Sequence, residues 1–244
     1  MTSKLLIIAG THGQEPQSCF VARKLVELFK LELKSSEPFD FYQGEVIDII
    51  PDLNRYGLEH SCRGNANGVD LNRNMPTSNW SEDHSHPDYY PGTSPGSEVE
   101  TQALLNIIKL RHSAKQSFTS NADTKKIETV QSTCFTKNLN DFKAEAHGLI
   151  ISIHTNHFIA NANEPQLNYD GSEKSLALAQ KLADELKLPL TRDIGYPTPG
   201  SLGSYCLENN IDCMTLELDD NLDNEASWQR YGKALCYPFR VVTP

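Results

Sequence analysis

Three short apolar runs, each closing on polar residues, constrain the fold of this chain more than any other feature. Leu5-Leu6-Ile7-Ile8-Ala9 stops at Gly10, Leu149-Ile150-Ile151-Ser152-Ile153 ends on His154, and Cys213-Met214-Thr215-Leu216-Glu217-Leu218 runs into Asp219-Asp220. Runs this short, rich in branched side chains and bounded by turn residues, read as strands buried within a sheet. Val46 to Ile50 reads as another. Helical periodicity fills the intervals, near Pro16 to Leu33, Ser97 to Arg111, Ser172 to Leu186 and Asn224 to Tyr237. This alternation predicts a three-layer α/β/α architecture around a mixed, mostly parallel twisted sheet. In such sheets the crevice beyond the carboxyl ends of the strands presents side chains to ligands, so the polar residues that close the runs are the first candidates for chemistry.

At 244 residues, with 38% hydrophobic and 22% charged residues, the chain suits a single domain spanning 1–244. Its 32 acidic and 22 basic side chains leave a net charge of −10 without any basic stripe, which argues against a nucleic-acid partner. The apolar run after Met1-Thr2-Ser3-Lys4 is too short for a secretory signal, and no stretch approaches the roughly 18 apolar residues of a membrane span. A cytoplasmic protein with no membrane partner is expected. The Cys residues at 19, 62, 134, 206, 213 and 236 form no C-x-x-C pair and no dense framework, so reduced thiols are expected, none with the setting of a nucleophile.

His12-Gly13-Gln14-Glu15 falls where the first strand turns into the first helix. Three residues apart on a first helical turn, His12 and Glu15 can point the same way and grip one ion. Gly13 is expected to let the backbone turn tightly beside them. Alone, His-x-x-Glu more often describes two solvated loop residues. His154 adds a second imidazole on the same sheet edge, and two His with one Glu are a ligand set for one catalytic zinc ion per chain, with a fourth position open to water. Glu217 is a carboxylate in an apolar stretch, where an unpaired charge is costly. It is either half of a structural ion pair or an acid–base group that takes a proton from water and returns it to a leaving amine. His84 and His86, in the polar stretch Ser81 to Asp88 of a long loop-rich region from Asn54 to Gly96, have no third ligand placed beside them and read as solvated turn residues.

Together with Arg63-Gly64-Asn65-Ala66-Asn67-Gly68-Val69-Asp70-Leu71-Asn72-Arg73-Asn74, these motifs resemble those of the zinc metallocarboxypeptidases of the carboxypeptidase A type. The resemblance implies a carboxypeptidase-like fold, with His12, Glu15 and His154 as ligands of one zinc and Glu217 as general base. It also implies that Arg63 polarises the scissile carbonyl, and that Asn72 and Arg73 hold the free terminal carboxylate of a small peptide substrate. The chemistry agrees, because a guanidinium offers a carboxylate a fixed fork of donors and a second one near the carbonyl stabilises a developing oxyanion. Gly195-Tyr196-Pro197-Thr198-Pro199-Gly200-Ser201 occupies the region of the family's mobile, substrate-capping Tyr, which points to Tyr196; from its residues alone it is also a surface turn. Leu202 matches the position that lines the family's specificity pocket, and an apolar residue there argues against a pocket dedicated to basic side chains.

Within that family the chain most resembles the bacterial murein peptide amidase branch, which cuts the γ-D-glutamyl–diaminopimelate bond of recycled cell-wall peptides. Asn79-Trp80, Pro95 to Leu104 and Gly195 to Cys206 carry the likeness. Thr155-Asn156-His157 departs from that branch toward ordinary carboxypeptidases. With the family's usual N-terminal hairpin lacking, the sheet is expected to be two strands short. The polar segment 113–147, inserted ahead of the His154 strand, or a second copy in a homodimer, is then expected to cover the bare edge; the segment's other role would be a lid. Two other functions fit parts of the pattern: a zinc deacylase of the aspartoacylase or succinylglutamate desuccinylase type, and a non-catalytic peptide-binding relative. The full Arg63 to Asn74 string favours a peptide hydrolase over the first, and retention of all three ligands with Glu217 favours it over the second.

Overall fold

The three runs become neighbouring parallel strands in the middle of one eight-stranded sheet, seen in a computed structural model that describes residues 5–34, 38–44, 47–116, 148–156, 164–192 and 194–236. In chain order the strands are β1 (Leu5–Ile8), β2 (Glu32–Lys34), β3 (Phe41–Gln43), β4 (Ile47–Ile50), β5 (Ile150–Thr155), β6 (Gln166–Asp170), β7 (Leu190–Thr191) and β8 (Cys213–Leu218). Across the sheet they lie in the order β2-β3-β4-β1-β5-β8-β6-β7. β4, β1, β5 and β8 run parallel, β2 and β3 form an antiparallel extension of β4, and β6 runs antiparallel to β8. The sheet is therefore mixed, with a parallel centre.

Successive strand side chains point to opposite faces, and each face meets helices. Leu5, Ile7, Ile151, Ile153, Met214 and Leu216 enter one core beneath α1 (Pro16–Phe29), α4 (Glu173–Leu186) and the last helical segment, which runs from Asn224 to Leu235 through a π turn at Trp228–Gly232. Leu6, Ile8, Ile150 and Cys213 enter a second core beneath α3 (Val99–Gln116) and α5 (Leu202–Glu208). Each fully buried Leu or Ile of these layers contributes about 1.5–3 kcal/mol. On the second face the character changes toward the strand ends. Ser152 and His154 follow Ile150, Thr215 and Glu217 follow Cys213, and Gln166, Asn168 and Asp170 alternate with Leu167 and Tyr169 of the first core. A polar floor thus forms over three adjacent strands.

The expected shortfall of two strands is not found. α1 ends at Phe29 because Lys30 adopts a left-handed cap (φ 49°), which frees Glu32–Lys34 for β2. The β2–β3 hairpin then pairs with β4 and covers the edge that an insertion or a second copy was expected to cover, leaving the three-residue β2 outermost. Ser113 to Gln116 prolong α3, whereas 117–147, and with it the lid expectation and Cys134, lies outside the described residues. The Asn54 to Gly96 region contains one short α-helix, α2 (Arg55–His60), and two 3-10 turns, at Leu71–Arg73 and Pro87–Tyr89. Cys19, Cys62, Cys206, Cys213 and Cys236 are free thiols. No helix among the described residues is long and apolar enough to cross a membrane.

Candidate active site

Gly10 closes β1 at φ +68°, and a Cβ there would meet Cys19 Sγ at 2.7 Å, so this corner suits glycine. Gly13 works by close approach rather than by turning: a Cβ would stand 1.8 Å from the Gly57 backbone of α2. The chain then enters α1 with Glu15 at the N-cap position and Pro16 at the first helical one. This brings His12 and Glu15 against His154, and the candidate ligand atoms of all three lie within 4.8 Å of one another, each residue at most 3% exposed. Glu15 Oε1 is 2.6 Å from His12 Nδ1, Glu15 Oε2 is 3.2 Å from His154 Nδ1, and the two Nδ1 atoms are 3.3 Å apart. The Thr155 N–H donates to Glu15 Oε2 at 3.2 Å and orients the carboxylate.

Each imidazole is held from behind. His12 Nε2 lies 3.1 Å from Asp70 Oδ1, and His154 Nε2 lies 3.0 Å from Ser152 Oγ. A proton on each Nε2 satisfies these partners and turns both Nδ1 lone pairs inward, the tautomer being assigned from the hydrogen-bond network. Two acceptor nitrogens beside a carboxylate repel unless a proton or a metal cation lies among them. Their spacing also suits one: ligands about 2.0–2.1 Å from a tetrahedral zinc stand roughly 3.3 Å apart. The residues present fit the ion. Burial opposes ionisation of Glu15, but His12 and His154 hold its carboxyl well below the usual range. Burial and Arg63 press the His12 pKa down, yet Glu15 and Asp70 outweigh them and raise it.

Glu217 stands directly beside His154, its Cα partner in the parallel pairing of β5 and β8. It is 5% exposed and hydrogen-bonds to no described residue. Burial pushes its pKa up to about 7; His154 and Arg63 work against that shift, and Glu15 adds to it. A carboxylate poised near neutral pH beside these side chains can take up and give back a proton.

The loop side is built by side chains in place of a backbone ladder. Asn65 Oδ1 accepts from the Asn67 and Val69 N–H groups, Asp70 Oδ1 accepts from the Asn72 N–H and caps a 3-10 turn at Leu71–Arg73, and Asn74 Nδ2 donates to Pro91 O at 2.8 Å. Asp70, fully buried, also receives Arg63 Nε at 2.8 Å through its second oxygen. One carboxylate thus fixes both His12 and Arg63; burial opposes its ionisation, but Arg63 and His12 hold its pKa far down. The guanidinium groups of Arg63 and Arg73 both lie over the Tyr89 ring, at 4.9 and 5.2 Å from its centroid. Asn72 Oδ1 accepts from the Leu202 N–H at 3.0 Å.

Arg63, Asn72, Tyr196 and Glu217 line one cavity with His12, Glu15 and His154. Arg73 is buried at its side, and its charge bears on both Asp70 and Tyr196. Leu202 is the exception to the expected set. Its side chain packs in the second core with Tyr205 and Cys206 and is absent from the cavity lining, so it says nothing about the pocket's taste for charge. His84 and His86 are exposed and join no metal-binding group among the described residues. Sequence reasoning gave no task to Asp70, Ser152 or Tyr89. Asp70 and Ser152 stand inside quoted motifs, within one or two residues of a candidate ligand or clamp residue, whereas Tyr89 carries no local signal.

The chain belongs to the zinc carboxypeptidase family, whose model matches residues 2–221. It is accordingly a peptide hydrolase with zinc as its cofactor. It is 30% identical to murein peptide amidase A of Escherichia coli (strain K12) over 233 residues, which cover 91% of this chain and 74% of that protein. To murein peptide amidase A of Vibrio campbellii it is 28% identical over 216 residues, or 88% and 69% of the two chains. The crystal structure of a murein-tripeptide amidase from Escherichia coli O157 is similar with a TM-score of 0.66 at 25% identity, covering 100% of this chain and 84% of that one. Carboxypeptidase A from Helicoverpa armigera shares the fold with a TM-score of 0.59 at 14% identity, covering 95% and 59%.

Proposed function

We propose that the chain hydrolyses the bond ahead of the last residue of small, cell-wall-derived peptides, with the γ-D-glutamyl–diaminopimelate linkage as the preferred bond. The observation that carries this reading is the triangle of His12, Glu15 and His154 with Glu217 in register beside it, an unpaired base next to a metal-ligand set. Zinc, when bound there, supplies Lewis-acid polarisation and lowers the pKa of water. Glu217 takes a proton from the attacking water and passes it to the leaving amine, a task suited to a pKa about 7. Arg63, its Nε held by Asp70, turns the rest of its guanidinium to the scissile carbonyl and the oxyanion it becomes. Asn72 and Arg73 hold the substrate's terminal carboxylate, and Tyr196 closes over the substrate. The likeness to murein peptide amidases supports the choice of linkage, and the free, mostly buried thiols support a reducing, cytoplasmic setting.

A three-substrate panel on zinc-loaded protein tests this. L-Ala-γ-D-Glu-diaminopimelate is expected to be cleaved fastest, a dipeptide ending in a hydrophobic residue more slowly, and an N-acetyl amino acid not measurably. Cleavage of the N-acetyl amino acid alone would overturn the reading in favour of a deacylase.

A further inference from the structure

Tyr89 lies on the loop side of the site and touches both cations on which that side depends. It ends the 3-10 turn Pro87–Tyr89 and is partly exposed. The chain that follows is tied to both ends of the 70–74 turn: the Tyr90 carbonyl accepts from the Asp70 N–H at 2.8 Å, and the Pro91 carbonyl accepts from Asn74 Nδ2 at 2.8 Å. These bonds fix Tyr89 relative to that turn. The guanidinium carbons of Arg63 and Arg73 lie 4.9 and 5.2 Å from the centre of its ring, near enough for the π face to attract both. Little else holds the two side chains. Among the described residues, Arg63 donates through Nε to Asp70 and Arg73 donates through Nη1 to the Asn72 carbonyl.

Tyr89 is absent from the cavity lining, whereas Arg63 lines the cavity and Arg73 is buried at its side. The ring therefore acts through the arginines and not on the substrate. Burial raises the Tyr196 pKa, and Glu217 and Tyr89 add to that shift while Arg73 and Arg63 oppose it, so the two tyrosines and the two arginines share one neighbourhood. Two guanidinium groups this close to one ring repel each other, and the negative face of the ring offsets part of that repulsion. Their spacing matters because the scissile carbonyl and the terminal carboxylate of the substrate lie one residue apart. We propose that Tyr89 is a positioning residue that holds Arg63 and Arg73 at the spacing of one substrate residue. The inference rests on the peptidase reading above and deepens it: one aromatic ring sets the carbonyl contact and the carboxylate contact together.

The test uses zinc-loaded full-length protein, L-Ala-γ-D-Glu-diaminopimelate, and the same peptide with the diaminopimelate carboxylate beside the bond amidated. Tyr89→Leu, which removes the ring, is expected to keep about one zinc per chain while KM for the free peptide rises and kcat falls, each about 3- to 30-fold, the range of one partly desolvated cation–π contact per arginine. The amidated peptide, already poor, is expected to show the kcat loss alone. Tyr89→Phe, which keeps the ring, is expected to recover both constants to within about threefold of wild type. In an Arg73→Ala background, Tyr89→Leu is expected to leave KM unchanged and still lower kcat, a coupling that a general loosening of the loop would not produce. Tyr89→Met is the second ring-free variant, read if the leucine variant loses zinc. Wild-type kcat and KM in a ring-free variant, zinc loss from both ring-free variants, a phenylalanine variant as impaired as the leucine one, or KM losses that add in full to those of Arg73→Ala would overturn the inference and leave the peptidase reading standing. Cleavage of neither peptide by the wild-type chain would overturn both.

Discussion

The two halves of the site are held by different physics. On the strand side, His154, Glu217, Asn168 and Thr215 occupy positions fixed by the register of β5, β8 and β6, and His12 and Glu15 follow from the corner between β1 and α1. The backbone ladder places these side chains whatever they do. On the loop side, Arg63, Asp70, Asn72 and Arg73 are placed by hydrogen bonds that their side chains make to backbone groups and to one another, and Asp70 at once caps a turn, holds an arginine and orients His12. Function and stability therefore separate on the first side and coincide on the second.

The largest expected effect lies on the strand side. His154→Ala, like His12→Ala or Glu15→Ala, leaves two ligands, so bound zinc should fall well below one per chain and turnover should drop by about 10⁴-fold or more. The metal-free variant should still lie within about 2 kcal/mol of wild type in denaturant unfolding, because the ladder remains. Global unfolding of metal-free His154→Ala would break the comparison from that side. Asp70→Asn should behave differently. Weakening the support behind His12 should cost about 10- to 100-fold in zinc affinity, and the altered Arg63 pair should destabilise the metal-free protein by about 1–3 kcal/mol. Weaker zinc binding at unchanged stability would make the loop side no different from the strands.

A smaller effect isolates the clamp. Arg73→Ala should raise KM about 10- to 100-fold for peptides with a free terminal carboxylate and leave amidated ones, already poor, almost untouched. Equal losses on both would remove Arg73 from that role. A last effect is on pH dependence. Glu217 has a folded pKa of about 7 against an ordinary 4.5, so the folded state binds its proton more tightly and metal-free stability falls as pH rises from about 5 to about 8. The raised pKa of His12 acts in the same direction, its contribution present at low pH and lost as pH rises. Glu217→Gln should remove the Glu217 share, on the order of 2–3 kcal/mol, and flatten the curve measured by urea unfolding between those limits. A wild-type slope in the variant would show that Glu217 is not the group responsible.

The same division explains what could be read from the chain. β1, β5 and β8 announce themselves because strands buried on both faces need continuous apolar residues, and the candidate ligands and Glu217 lie at or just beyond the ends of those runs. β6 went unread because its sequence, Gln-Leu-Asn-Tyr-Asp, spends every second position on a polar side chain. Its alternation around Leu167 and Tyr169 was the available signal. The β2 and β3 strands, three residues each, are too short for any period, and the helix expected to run to Leu33 hides the first of them. On the loop side the Arg63 to Asn74 string marked the chemistry, but the triple duty of Asp70 and the stacking of Tyr89 under two arginines arise only when distant segments meet. Leu202 misled because matching a family position does not say which way its side chain turns in this chain.

In the proposed mechanism His12, Glu15 and His154 bind zinc while Glu217, one strand over, moves the proton. The most direct measurement is zinc content and kcat of Glu217→Gln in one preparation. The amide keeps the shape but cannot accept a proton, so about one zinc per chain should remain while kcat falls roughly 10²- to 10⁴-fold. An emptied metal site, or hydrolysis near the wild-type rate, would contradict the account.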